Sequence, residues 1–177
     1  MASFHAEQWV PYPIEQVFAF FSDPANLPRI LPPGQRARID QVRLVAPQDG
    51  PGNDGPTNDG LGGAGVGTEI EISLCPVPFL PFRAKWVARI TGFARNQFFA
   101  DEQIRGPFKT WKHRHEFESR EQAGQAGTVL RDIVEFEAGF GPLGKIAEAA
   151  FIQRQLRGTF THRQQALEPL LRRNAER

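Results

Sequence analysis

Hydrophobic and polar positions along this chain alternate with two different periods. Toward the C-terminus, from Gly141 to about Arg173, the spacing is helical. Pro142 sits where a first helical turn tolerates its missing N–H. Leu143, Ile146, Ala147, Ala150 and Phe151 share one stripe, and Leu156, Phe160, Leu167 and Leu171 share a second stripe rotated away from it. The pattern predicts an amphipathic rod of about 40 Å that resets or bends near residues 152–158 to follow a curved surface. No heptad persists, so the rod covers a sheet rather than forming a coiled coil. Its cations, Lys145, Arg154, Arg157, Arg163, Arg172 and Arg173, read as a solvated face.

Upstream the period is mostly two. Ser3 to Val10 reads as a strand stopped by Pro11-Tyr12-Pro13. A short helix follows over residues 15–21, with Ile14, Val17, Phe18 and Phe21 on one face. Asp23-Pro24-Ala25-Asn26-Leu27 caps a second short helix, and Leu31-Pro32-Pro33-Gly34 closes the pair. Strands are then expected at residues 39–45, 68–74, 83–94, 97–105, 109–120 and 128–138. The later ones are parted by breakers at Arg95-Asn96, Gly106-Pro107 and residues 123–127. Between the first two of these strands, residues 47–67 hold eight glycines, three prolines and three aspartates. That composition buries too little surface to order itself, so a flexible loop without anchors is expected. One strand, two short helices, six strands in an antiparallel meander and one closing helix describe an α+β chain, β-α-α-β6-α, with the helix over the concave side of a curved sheet. Residues 1–177 form a single domain without repeats.

Composition changes the picture in one respect. Fifteen phenylalanines stand against one tyrosine, which supplies large apolar surface without polar tips and suggests a roomy, greasy interior. A net charge of +1 argues against a nucleic-acid partner. Neither a signal-type apolar run nor a membrane-length one is present, so a cytoplasmic protein without stable membrane insertion is expected. The lone Cys75 reads as a small buried residue. Asn53-Asp54-Gly55 and Asn58-Asp59-Gly60 lack the spacing and closing glutamate of a calcium loop.

Candidate chemistry gathers on the strand 110–117. Alternation puts Trp111, His113, His115 and Phe117 on one face and Thr110, Lys112, Arg114 and Glu116 on the other, so the first set faces inward. The next strand offers Leu130, Asp132, Val134 and Phe136 inward, with Asp132 opposite His115 or His113 depending on register. A carboxylate beside an imidazole can fix its tautomer or tune its pKa for acid–base work, and can equally satisfy buried polar groups or orient a ligand oxygen. As metal ligands, His113, His115 and Asp132 lack a further strong partner, so no metal is expected, and no Gly-x-Ser-x-Gly elbow is present. On strand 83–94, Trp86, Ala88 and Ile90 oppose Lys85 and Arg89. On strand 97–105 a face with Phe98, Ala100 and Ile104 competes with one carrying Phe99, Asp101, Gln103 and Arg105.

The order of elements carries a resemblance. Pro13-Ile14-Glu15-Gln16-Val17-Phe18-Ala19-Phe20 with Asp23 and Asn26-Leu27, then Gly106-Pro107-Phe108 with Trp111, His113, His115 and Phe117, then Thr128, Asp132, Val134 and Gly141-Pro142-Leu143-Gly144, resemble the START and birch-pollen-allergen superfamily, in its polyketide cyclase/dehydrase-like (SRPBCC) branch. The resemblance implies the helix-grip fold, a curved antiparallel sheet gripping the long helix around an apolar cavity, and favours the Phe99 face as inward. The expected wall comprises Phe20, Ile70, Ile72, Trp86, Ala88, Phe99, Asp101, Gln103, Trp111, Val134 and Phe151. The implied function is binding of an apolar lipid-like or cyclic, polyketide-like molecule, without a cofactor. The alternative is a cyclase or dehydratase using acid–base chemistry at His113, His115 and Asp132, and a third reading is an accessory module for a partner protein. The family spans binders and enzymes, so fold alone does not choose.

Overall fold

The computed structural model describes residues 1–47, 63–75, 83–138 and 145–175. Strand β1 (Ala2–Val10) leads into helix α1 (Ile14–Ser22) and the short helix α2 (Leu27–Ile30). Asp23 links the two helices: its Oδ1 accepts from the Ala25 N–H at 2.9 Å, capping a 3₁₀ turn. The six later strands are β2 (Arg38–Arg43), β3 (Glu69–Leu74), β4 (Ala84–Ala94), β5 (Phe98–Arg105), β6 (Phe108–Gln122) and β7 (Gln125–Ala138), and α3 (Lys145–Ala175) closes the chain. They form one antiparallel sheet in the order β1-β7-β6-β5-β4-β3-β2. Its register shifts near Gln41, Val87, Ile90 and Lys109, where extra residues bend the strands and give the sheet its curvature.

The predicted meander is present, with two corrections. The break expected over residues 123–127 is a two-residue turn: Gln122 pairs with Gln125, and Ala123 and Gly124 take φ of 50° and 80°, as a tight hairpin of this hand requires. Alternation therefore continues farther into both strands than the small residues suggested.

The second correction concerns the Gly-rich stretch. Residues 48–62, with their Asn-Asp-Gly repeats, lie outside the described residues, but the end of the stretch is anchored. The N–H groups of Ala64, Gly65 and Gly67 donate to the carbonyls of Ser22, Val45 and Ile90 at 2.9, 2.8 and 2.9 Å. A Cβ at Gly65 would stand 2.5 Å from Pro47 Cα. Glycine there permits close backbone contact, which composition cannot distinguish from slack.

Two buried clusters hold the fold. One joins α1 and the C-terminal half of α3 to the sheet through Val17, Phe18, Phe117, Leu130, Leu167 and Leu171. The other packs Phe4, Val134, Phe136, Leu156 and Phe160. The second helical stripe of the sequence, Leu156 through Leu171, is thus the buried one. Of the first stripe, Ala150 and Phe151 are exposed, and Leu143 lies outside the described residues. No helix among the described residues is long and apolar enough to cross a membrane.

Candidate functional site

Between those clusters, and bordered by members of both, sheet and helix separate around a cavity of about 660 Å³. Its sheet wall comes from Ile70 and Ile72 of β3, Trp86, Ala88 and Ile90 of β4, Phe99 and Asp101 of β5, and Trp111, His113 and His115 of β6. Cross-strand pairing explains the set: Ile70 faces Ala88, Ile72 faces Trp86, and Ile90 faces Asp101 across the ladders. Trp86 and Trp111 meet edge to face at 4.9 Å, with Phe108 at 5.5 Å and 4.8 Å from them. Phe20 of α1 and Phe151 of α3 border the cavity as well, Phe151 as a half-exposed ring at the rim. The end of the Gly-rich stretch adds Ala64.

Two expected wall residues are elsewhere. Gln103 is spent on the adjacent turn: its Nε2 donates to the Phe108 carbonyl at 2.8 Å and its Oε1 accepts from the Phe108 N–H at 3.3 Å. Val134 is fully buried beneath Phe4, Phe136, Leu156 and Phe160, so the second core cluster covers it. The remaining nine, Phe20, Ile70, Ile72, Trp86, Ala88, Phe99, Asp101, Trp111 and Phe151, border the cavity.

The largely apolar wall carries a cluster of charged and imidazole side chains, besides polar residues such as Ser22, Asn26 and Gln35 from the helices and their connections. Of the two registers left open, the structure takes the one with His115 directly across from Asp132. Asp132 Oδ1 lies 2.7 Å from His115 Nδ1, 3.1 Å from His113 Nε2 and 3.1 Å from Arg163 Nη2. A carboxylate only accepts, so an imidazole bonded to it carries its proton on the facing nitrogen, Nε2 of His113 and Nδ1 of His115, while Arg163 is its ion-pair partner. Arg163 Nη2 is also aimed at His115 Nδ1 at 3.1 Å, and that nitrogen accepts from it only when the imidazole proton sits on Nε2.

The site residue that pattern reading misses is Arg163. Instead of joining the other cations of the closing helix on a solvated face, it is 6% exposed. Its guanidinium sits 4.7 Å from the Phe21 ring centre and 5.3 Å from that of Phe160. A signal was available: Leu156, Phe160, Arg163, Leu167 and Leu171 follow one helical stripe, and Arg163 fills its vacant position. Its Nε is buried without an acceptor.

Electrostatics assigns the charges. Burial alone would raise the Asp132 pKa, but Arg163 and the two imidazoles outweigh it and hold the carboxyl well below the usual range. Burial pushes His115 down to about 3, helped by His113 and Arg163 and opposed by Asp132. The 2.7 Å contact is therefore a bond from neutral imidazole to carboxylate, not an ion pair. Burial raises Asp101 against the pull of His113 and Arg163. Burial also lowers Arg163, against Asp132 and Asp101. Asp132 is not on the cavity wall, whereas Asp101, His113, His115 and Arg163 are.

Asp101, His113 and His115 bring possible metal-donor atoms within 4.8 Å of one another. Arg163 occupies the same corner as a fixed cation and opposes a divalent ion there. The donor set suits a hydrogen-bonding ligand better than a metal.

A seven-stranded curved sheet with its long helix laid across a ligand-sized cavity defines a helix-grip domain of the START and birch-pollen-allergen type. Residues 10–164 match the family described as polyketide cyclase / dehydrase and lipid transport, and the chain belongs to that family. No match was found among curated proteins. Similar solved structures include TTHA0849 from Thermus thermophilus, with 14% identity, TM-score 0.65, and coverage of 96% of this chain and 97% of that one. A START superfamily protein from Mycobacterium smegmatis shares 16% identity at TM-score 0.61, covering 97% of each chain. A norcoclaurine synthase point mutant from Thalictrum flavum, in complex with a transition-state analogue, shares 17% identity at TM-score 0.57, covering 98% of this chain and 96% of that one. At these identities the likeness concerns the fold.

Proposed function

We propose that this protein binds an apolar small molecule, lipid-like or cyclic and polyketide-like, in the cavity between sheet and helix. The observation that carries the reading is the cavity itself. Its volume of about 660 Å³ falls in the range of small-molecule sites, and its largely aromatic and aliphatic wall carries the cluster of Asp101, His113, His115 and Arg163. A core of this size left unfilled sacrifices burial, and a ligand restores it. The test uses the three tryptophans, two of which border the cavity. An apolar fluorescent probe should quench or accept tryptophan emission, and Trp111→Ala should weaken its binding. If no apolar probe alters the emission and native mass spectrometry finds no co-purifying small molecule, the reading fails.

Acid–base catalysis is the second reading, favoured by the Asp101 carboxyl lying 3.9 Å from His113 Nδ1 on the wall. The division of labour differs from the expected triad. Asp132 is held ionised behind the imidazoles, so it orients them, and a His115 that gains a proton only near pH 3 is a weak base at neutral pH. Proton transfer would fall to Asp101 with His113. On a polyketide or cyclic-ketone substrate, Asp101→Asn should then lower turnover by about 10²–10⁴ while probe binding persists. Unchanged turnover in that variant removes the catalytic reading.

A further inference from the structure

The corner formed by Arg163 and Asp101 has more to say about the ligand, granted that the cavity takes an apolar molecule. Its geometry is rich in donors and poor in acceptors. The carboxylate of Asp132 already contacts His113, His115 and Arg163 within 3.1 Å. The Arg163 guanidinium borders the cavity, and its Nε is buried without an acceptor, a costly state for a charged donor. Beside it, the Asp101 carboxyl borders the same cavity, and its nearest described partner is His113 Nδ1 at 3.9 Å, beyond hydrogen-bond reach. Ser22, whose hydroxyl is likewise buried without a partner, borders the cavity from α1. An entirely apolar guest would leave all of these groups unmet. A guest with a basic nitrogen would meet a fixed guanidinium.

We propose that the ligand is an apolar carboxylic acid, its carboxylate seated against Arg163 and Asp101 and its hydrocarbon body lying along the Trp86, Trp111, Ile70 and Ile72 wall. The charge balance accommodates this in one way. Arg163 is neutralised by Asp132 in the free protein, so an incoming carboxylate is tolerated while Asp101 is protonated. Asp101 then donates its O–H to one ligand oxygen and Arg163 donates to the other, after a small shift that turns the Nε edge toward the guest. Burial already raises the Asp101 pKa, and a bound carboxylate raises it further, so binding takes up a proton. The groups facing Asp101 are His113 of β6, Arg163 of α3, Asp132 of β7 and its own neighbour Glu102 on β5. His113 and Arg163 draw its pKa down, and Asp132 and Glu102 draw it up.

The test compares cis-parinaric acid with its methyl ester, which keeps the hydrocarbon and removes the charge. Wild-type protein should bind the acid about 10–100-fold more tightly than the ester while Asp101 is protonated. This preference should shrink as pH rises and Asp101 ionises, with ester affinity unchanged. Asp101→Asn keeps shape and leaves the Arg163–Asp132 pair intact, so it should fold and hold the acid preference across the whole range. Removing the pair together, in Arg163→Gln/Asp132→Asn, leaves no unpaired buried charge and should abolish the preference while the ester still binds. Equal binding of acid and ester by wild type, or an unaltered pH decay in Asp101→Asn, overturns the carboxylate assignment alone. Failure of both probes to bind overturns the binding function with it.

Discussion

The two halves of α3 meet the same sheet in opposite ways. Its C-terminal half sends Leu167, Leu170 and Leu171 into a filled cluster with Val10, Val17, Phe18 and Leu130. Its N-terminal half presents Phe151, Ile152, Gln155 and Thr159 to a cavity instead. The difference lies in what stands opposite. Helix α1 fills the concavity at the first end with Phe18, which packs edge to face on Phe93 and Phe117 at 5.4 and 5.1 Å. At the other end Ile70 and Ile72 of β3 and Trp86 and Ala88 of β4 line the cavity. One end supplies stability and the other supplies room, and the Asp132 cluster stands at the seam.

The comparison can be broken first at that seam. Asp132→Asn removes the counter-ion of a buried guanidinium and should cost about 3–5 kcal/mol, read by urea unfolding. A loss under about 1 kcal/mol would show that water reaches Arg163 and that the seam is not sealed.

The filled end comes next. Leu167→Ala leaves a void in a fully buried cluster and should cost about 2–5 kcal/mol, with probe binding in the cavity nearly unchanged. If binding falls in step with stability, the two ends are not separable.

A smaller effect follows from His115. Its folded pKa, about 3, lies below the unfolded value of 6.5, so its contribution is complete above about pH 6.5 and is lost as pH falls toward 3. Asp132 works in the same direction at lower pH, being depressed. Asp101 works oppositely: raised in the fold, its contribution is complete below about pH 3.8 and is lost as pH rises through the folded value. Between about pH 7 and pH 4.5, wild type should lose stability by an amount on the order of 2 kcal/mol more than His115→Gln does. Identical pH profiles for the two proteins would mean that His115 is not buried in its neutral form.

The smallest stability change is expected at the hollow end. Ala88→Leu adds volume where the wall faces empty space, so unfolding free energy should move by less than about 1 kcal/mol. Probe affinity should nonetheless fall sharply. Destabilisation by several kcal/mol would indicate that the space beside Ala88 is already filled.

Local pattern determined much of this architecture. Strict alternation in residues 68–74 and 110–117 assigned inward and outward faces, because a strand's side chains have a period of two and the charged set cannot be buried unpaired. The helical period gave two apolar stripes on α3, of which the structure buries the one from Leu156 to Leu171, and the inward placement of His113, His115 and Asp132 followed from the strand period. What the pattern left open depended on partners distant in sequence. Whether His115 or His113 faces Asp132 was set by the Ala123-Gly124 turn, and a two-residue change in register would have exchanged them. Gln103 alternates as a wall residue should, but the Phe108 backbone, presented by the adjoining turn, claimed its amide. Ala64 and Gly65 belong to a composition that suggests slack, and only the nearness of Ser22 and Val45 anchors them. Arg163 is the sharpest case. A cation on a helix is ordinarily solvated, since burying it costs several kcal/mol. Only the folded sheet brings Asp132, 31 residues earlier in sequence, to 3.1 Å from its guanidinium and makes that burial possible.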